Sequence, residues 1–321
     1  MGVLSLLSSE VCSEESPGDR YDERIGRLPG EWKYMEIYEL KNKITELLAA
    51  ARVIVQRFGH TKKFAKHLVA FAIRQHENIN DAKLANFLAR DPIGKLLGYG
   101  HKPHKSVFSK VRERSDPRMF KELHDWIVQD RLRGKRLRLI AQDSTDVFAY
   151  SKKDKDAKWG HRTPSRKEQL MQNCGKEKEL FFGYKPHVIV DVETEMPIAV
   201  GVIPANTNDK KMFWPLYDNV KRDFLIQHMA KFIADAQYHA SKISMQLRND
   251  CLVPVIPRSG NKYQKTIQPK DPDYGKRWAI EHLFSRLKEM FGLENNRFVG
   301  LKKVTIHVFS CLLANLLEYV M

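Results

Sequence analysis

From about Trp32 to Ile127 the apolar residues recur at helical spacing. The clearest stretch is Tyr38–Phe58, where Leu40, Ile44, Leu47, Leu48, Ala51 and Val55 predict one buried face. His67–Arg74 continues in the same style. Between Asp81 and Arg114 the pattern predicts a short helix over Ala82–Ala89 and a turn region punctuated by Pro92, Gly94, Gly98 and Gly100. A second helix should start near Ser106, with Ser106 as its N-cap. The period changes at Leu137. Alternation and β-rich composition predict a strand over Leu137–Gln142, with Asp143 at or just past its end. The polar stretch 152–178 has no periodicity and reads as a surface loop. Tyr184–Asp191 and Pro197–Ile203 then predict a hairpin. A helix over Asp209–Arg222, a strand over Lys231–Ala234 ending at Asp235, a helix over Ala240–Arg248 and a strand over Leu252–Ile256 follow. After a loop over 258–273, a helix is expected over Asp273–Lys288 and a last, apolar one from about Val304. Its stripe of Val304, Val308, Cys311, Leu312, Leu316 and Tyr319 suits a core rather than an interface.

The order of these elements predicts an N-terminal all-helical domain over 31–130 and a mixed-sheet α/β (α+β) domain over 131–321. Residues 1–30, rich in Ser, Glu, Asp and Gly, read as a disordered acidic tail. Composition adds a partner. Lys+Arg exceeds Asp+Glu by 55 to 39, a formal charge of +16, which favours polyanions and nucleic acid first among them. The second predicted helix after Asp81 would display Lys105, Lys110, Arg112 and Arg114 to phosphates, in the manner of a helix-turn-helix. An ordinary helical pair with a solvated basic face fits the same pattern. The four cysteines, Cys12, Cys174, Cys251 and Cys311, are far apart and form no C-x-x-C pair, which argues against disulfides or zinc. No signal peptide is visible, and Val304–Met321 is too short and polar to span a bilayer, so a cytoplasmic protein is expected.

The candidate chemistry lies in the second half. Tyr274, Arg277, Glu281 and Lys288 sit at i, i+3, i+7 and i+14, within an arc of roughly 60° on a helix. Leu283, Phe284, Leu287, Met290 and Phe291 fall on a neighbouring face turned to the core. Taken alone, the polar arc could be a solvated face of ion pairs. Asp143 and Asp235, however, share a setting: each follows a short apolar strand and begins a turn. Asp146, Asp191 and Asp209 are also available, but the strand-end setting favours the first pair. If the two strands end side by side, a helix packed on the sheet could bring Glu281 to them. Three crowded carboxylates repel unless cations hold them, and oxygen donors alone suit Mg²⁺ or Mn²⁺. A pair of such ions serves phosphoryl transfer.

Several of these motifs together resemble a DDE transposase of a prokaryotic insertion sequence. They are the strand ending at Asp143, the GYK-x-H of Gly183, Tyr184, Lys185 and His187, the DAQYH around Asp235, and the Tyr274, Arg277, Glu281, Lys288 signature. The resemblance covers roughly 131–321. It implies a ribonuclease-H-like catalytic core in which Asp143, Asp235 and Glu281 bind two Mg²⁺ or Mn²⁺ ions, cut transposon ends and join them to target DNA. Tyr274, Arg277 and Lys288 would contact DNA phosphates, a role that suits a bidentate Arg and a point-charge Lys. His187 would be either structural or functional. The implied partners are double-stranded DNA, with terminal inverted repeats and a target, and a second copy in a synaptic homodimer, in a nucleoid-associated setting without a membrane. Only 45 residues (236–280) separate Asp235 from Glu281. Helix, strand and loop use most of them, a departure from the sizeable β-rich insertion often found in this branch. The resemblance therefore does not extend to its DNA-hairpin chemistry, and hairpin and other excision chemistry both stay open. A nuclease that cuts without joining, and a non-catalytic DNA-binding derivative, are the alternatives.

Overall fold

The computed structural model describes residues 34–162, 179–258 and 267–319; the expected acidic tail over 1–30 lies outside them. The first part of the chain is helical: α1 (Tyr34–Arg57), α2 (Ala65–His76), α3 (Asp81–Arg90), α4 (Pro92–Leu96), α5 (Lys105–Arg114) and α6 (Pro117–Arg131). All six apolar residues named for the first stripe are buried on α1. Short polar side chains start the later helices. Asn80 accepts from the backbone N–H groups of Ala82 and Lys83, Asp91 from that of Ile93, and Asp116 from that of Arg118. At α5 the expectation for Ser106 is corrected. The cap is His104, whose Nδ1 accepts from the Ser106 N–H at 3.3 Å.

The sheet is built from β1 (Arg136–Ser144), β2 (Val147–Phe148), β3 (Lys158–Arg162), β4 (Glu179–Asp191), β5 (Met196–Pro204), β6 (Leu225–Ala234) and β7 (Val253–Val255). Antiparallel β5, β4 and β1 form one half, and β6 and β7 continue parallel to β1. The fold is therefore mixed α/β. Strands β2 and β3 both pair with the first half of β4. Strand β3 lies in a stretch expected to be a loop. Its sequence, KWGHR, has little apolar alternation to announce it. Gly160 fits because a Cβ there would meet the Ala205 carbonyl oxygen at 2.4 Å. The last part of that expected loop, 163–178, lies outside the described residues.

Helices α7 (Asp209–Asp223), α8 (Ser241–Asn249), α9 (Trp278–Glu289) and α10 (Leu301–Tyr319) complete the molecule. The helix expected over Asp273–Lys288 is two elements: a 3₁₀ segment Pro272–Arg277, capped by Asp271, leads into α9. Helix α10 is buried along almost its whole length and packs against α2, α6 and β5. One continuous core thus joins the helical segment to the sheet. Gln75 on α2 shows the join, donating at 3.0 Å to the carbonyl of Phe291.

Candidate catalytic site

Strand β1 carries Leu137, Leu139, Ile140 and Ala141 into the core and delivers Asp143 at its exit. Its parallel neighbour β6 is in register with Gln142 opposite Ala234, so the next residues, Asp143 and Asp235, follow side by side where this strand pair ends. Each aspartate also organises its own backbone exit. Asp143 Oδ1 accepts from the Ser144 N–H at 2.8 Å, and Asp235 Oδ1 accepts from the Gln237 N–H at 2.9 Å, capping a 3₁₀ turn over Ala236–Tyr238.

The third carboxylate arrives through an arginine. Arg277 donates from Nη1 to Asp143 Oδ2 at 2.6 Å and from Nη2 to Glu281 Oε1 at 2.5 Å. In a 3₁₀ turn residues i and i+3 eclipse, so Tyr274 and Arg277 still stand on one side. Tyr274 is half-buried and packs on the core beside the acidic group. Burial and the neighbouring Asp235 and Glu281 push the Asp143 carboxyl up to about 7, against the opposing pull of Arg277. Burial also raises Asp235. The Asp143 side chain keeps 18% exposure and Glu281 55%, so the group opens to solvent on the α9 side.

The carboxylates are hard oxygen donors, whose chemistry suits a divalent cation of the Mg²⁺ type. Arg277 supplies the charge in this conformation. Among the described residues no three acidic, His or Cys side chains are gathered closely enough to hold an ion as they stand.

The other residues of the expected site separate into two groups. Lys288 lies along α9, 3.2 Å from Glu294 and 3.7 Å from Asp146. On α5, Lys105, Lys110 and Arg114 are exposed. Arg112 corrects the expectation that all four are displayed. Phe108, Val111 and Arg112 form the inward stripe of α5, and Arg112 is only 4% exposed. Its guanidinium pairs with Asp81 at 2.7 and 3.1 Å and lies over the rings of Phe71 and Phe298.

The GYK-x-H residues are all engaged inside the fold. A Cβ at Gly183 would meet the Val147 carbonyl oxygen at 2.2 Å, so only glycine lets β2 approach. Tyr184 donates to Asp154 at 2.8 Å, Lys185 reaches Asp209, and buried His187 meets Tyr238. Of the aspartates set aside in the sequence, Asp191 pairs with Lys135 and is structural. Asp209 lies near enough to Asp235 to help raise its carboxyl. Only the tertiary fold brings Asp209 there, and its helix N-terminal position gives no sequence signal of it.

A family model described as "Transposase DDE domain" matches residues 134–317, more than half of the chain. The chain belongs to the transposase DDE domain family. Its sheet is mixed, as the α/β class expected from the sequence requires. No curated protein matches the chain. Two solved structures show a slight likeness. One is a piggyBac transposase synaptic complex with hairpin DNA, at 11% identity over 86% of this chain and 72% of that one, with a TM-score of 0.34. The other is a Mos1 transposase paired-end complex with the left transposon end, at 14% identity over 74% and 76%, with a TM-score of 0.22. Overlap this slight assigns no role to any residue of the transposase described here. Among its described residues, no helix is long and apolar enough to cross a membrane.

Proposed function

We propose that this transposase cleaves the ends of an insertion sequence and joins their 3′-OH groups to target DNA, with Asp143, Asp235 and Glu281 as the catalytic carboxylates. The observation that carries the reading is the meeting of three elements: two adjacent parallel strand ends deliver the aspartates, and Arg277 links Asp143 to Glu281. Asp143, Asp235 and Glu281 would hold Mg²⁺ or Mn²⁺, which when bound supplies the positive charge that activates an attacking oxygen and stabilises a leaving one. Arg277 has a fork of donors, only two of which are engaged by carboxylates, and is placed to reach a phosphate of the cut strand. Tyr274 on the same side packs beside that strand. Lys288, farther along α9, contributes a point charge to the next phosphates. Lys105, Lys110 and Arg114 on α5 extend the basic surface toward duplex flanking the end, in a domain over 31–130 that serves DNA binding. Two copies would hold the two ends together.

The test uses a pre-cut end bearing a free 3′-OH, a supercoiled target plasmid and Mg²⁺. Wild type should join them, whereas Asp235→Ala and Glu281→Gln should lose on the order of 100-fold or more while still shifting the end in a gel. Strand transfer that survives either substitution overturns the site. Cutting without joining by wild type would make the protein a nuclease, and binding without cutting a non-catalytic DNA-binding protein.

A further inference from the structure

A polar chain lies behind the two aspartates, and the proposed reaction makes no use of it. Lys185 Nζ donates to Asp209 Oδ1 and Oδ2 at 3.2 and 3.4 Å. Asp209 Oδ1 lies 3.7 Å from His187 Nε2, and His187 Nδ1 lies 3.0 Å from the Tyr238 hydroxyl. His187, Tyr238 and Asp209 are 0%, 1% and 6% exposed. Among the described residues, His187 Nε2 has no hydrogen-bond partner. The anionic Asp209 facing Nε2 favours the tautomer with its N–H there, which leaves Nδ1 to accept from Tyr238. Leaving a buried polar atom unpaired costs about 1–3 kcal/mol. Apolar side chains would hold the same space at less cost, so the chain calls for a role besides filling.

Its two ends supply that role. His187 stands on β4 opposite Ser144, the residue after Asp143. Tyr238 closes the 3₁₀ turn that Asp235 caps, and its N–H donates to the Asp235 carbonyl at 3.1 Å. One buried hydrogen bond therefore runs from the strand pair carrying Asp143 to the turn carrying Asp235. Lys185 and Asp209 anchor its far side to α7.

We infer that Lys185, Asp209, His187 and Tyr238 are positioning residues that hold the Asp235 turn against β1 and β4 and so set the separation of the two carboxylates. The inference rests on the proposed function, in which Asp143 and Asp235 are metal donors. Partners that orient metal ligands from behind typically cost 10–100-fold in metal affinity or activity when lost.

Tyr238→Phe, His187→Leu and His187→Asn test it in the full-length protein. Three quantities decide: Mn²⁺ binding read by electron paramagnetic resonance of the free ion, thermal unfolding, and the Mg²⁺ needed for half-maximal strand transfer. Tyr238→Phe and His187→Leu should weaken Mn²⁺ binding by roughly 10–100-fold and raise the Mg²⁺ requirement to match, with the plateau rate recovered at high Mg²⁺. His187→Asn keeps an acceptor near the place of Nδ1 and should stay within roughly threefold of wild type. A Tyr238→Phe protein that melts lower but binds Mn²⁺ like wild type makes the chain mere scaffold and overturns the inference. If His187→Leu does not fold, Tyr238→Phe, which removes one hydroxyl, still decides. Asp235→Ala separates the two levels. Mn²⁺ binding unchanged by Asp235→Ala would bring down the proposed function and this inference together. Mn²⁺ binding lost in Asp235→Ala but kept in Tyr238→Phe would bring down the inference alone.

Discussion

Arg112 and Arg114 are two residues apart on α5 and have unrelated jobs. Arg114 points to solvent, while Arg112 shares Asp81 with Arg74, whose Nε is 2.9 Å from the same carboxylate oxygen. One carboxylate thus serves two nearly buried guanidinium groups. Asp81→Ala would strand both, and urea unfolding should show a loss of about 2 kcal/mol, below the usual cost for a buried pair because Asp81 keeps 24% exposure. Arg114→Ala should leave that unfolding curve in place and weaken DNA binding. Both arginines read alike in the sequence, since a basic residue at the edge of an apolar stripe fits either role. His187 is a similar case. Its motif marked it as special, yet only the fold pairs it with Tyr238, a residue 51 positions away.

At the scale of elements, α2 and α10 are clamped by His76. Its ring bonds Glu318 from Nε2 at 3.0 Å and Glu77 from Nδ1 at 2.9 Å. Burial opposes the imidazolium, but the two carboxylates overcome it and raise its pKa to about 9. The clamp therefore stabilises fully below the ordinary value of 6.5 and is lost as pH rises through about 9. Denaturant unfolding at pH 6.5 and at pH 9.5 should differ by at most about 2–3 kcal/mol, and a His76→Phe variant should lose that difference. The break between the 3₁₀ segment and α9 is another matter of elements. Asp271 and Asp273 hold Lys231 of β6 at 2.9 and 2.5 Å, which ties the segment to the strand that leads to Asp235. Asp271→Ala removes one of these two ties and the Asp273 N–H cap, and should cost about 1 kcal/mol in thermal unfolding. The polar arc was legible as a period, but the change of helix type was not, because it depends on what Pro272 and Lys231 meet in space.

For the whole molecule, the excess of 16 positive charges belongs to binding rather than folding. Affinity for a DNA end should fall steeply with salt. Replacing Lys105, Lys110 and Arg114 together with Ala should reduce the slope of log K against log salt by about 3, measured by fluorescence anisotropy. An unchanged slope would take α5 off the DNA path. The helical segment over 31–130 would not serve as a detachable reader of DNA, since α10 gives it and the sheet one core. A truncation ending near 130 would expose that core. Aggregation or loss of helical circular dichroism is the expected outcome.

Local pattern determined the strands around Asp143 and Asp235, the hairpin, the apolar stripe of α1 and the buried nature of α10. Each depends on periodicity within one element, and burial enforces that periodicity directly. Asp143 and Asp235 were legible as candidates for the same reason: each follows an apolar run near a strand end, where a polar residue is conspicuous. Which strands lie side by side, and which basic residues turn inward, was decided only by the tertiary structure. Those outcomes depend on contacts between residues far apart in sequence, and neither spacing nor composition encodes a parallel register, an Asp81 beneath Arg112, or a Tyr238 beneath His187.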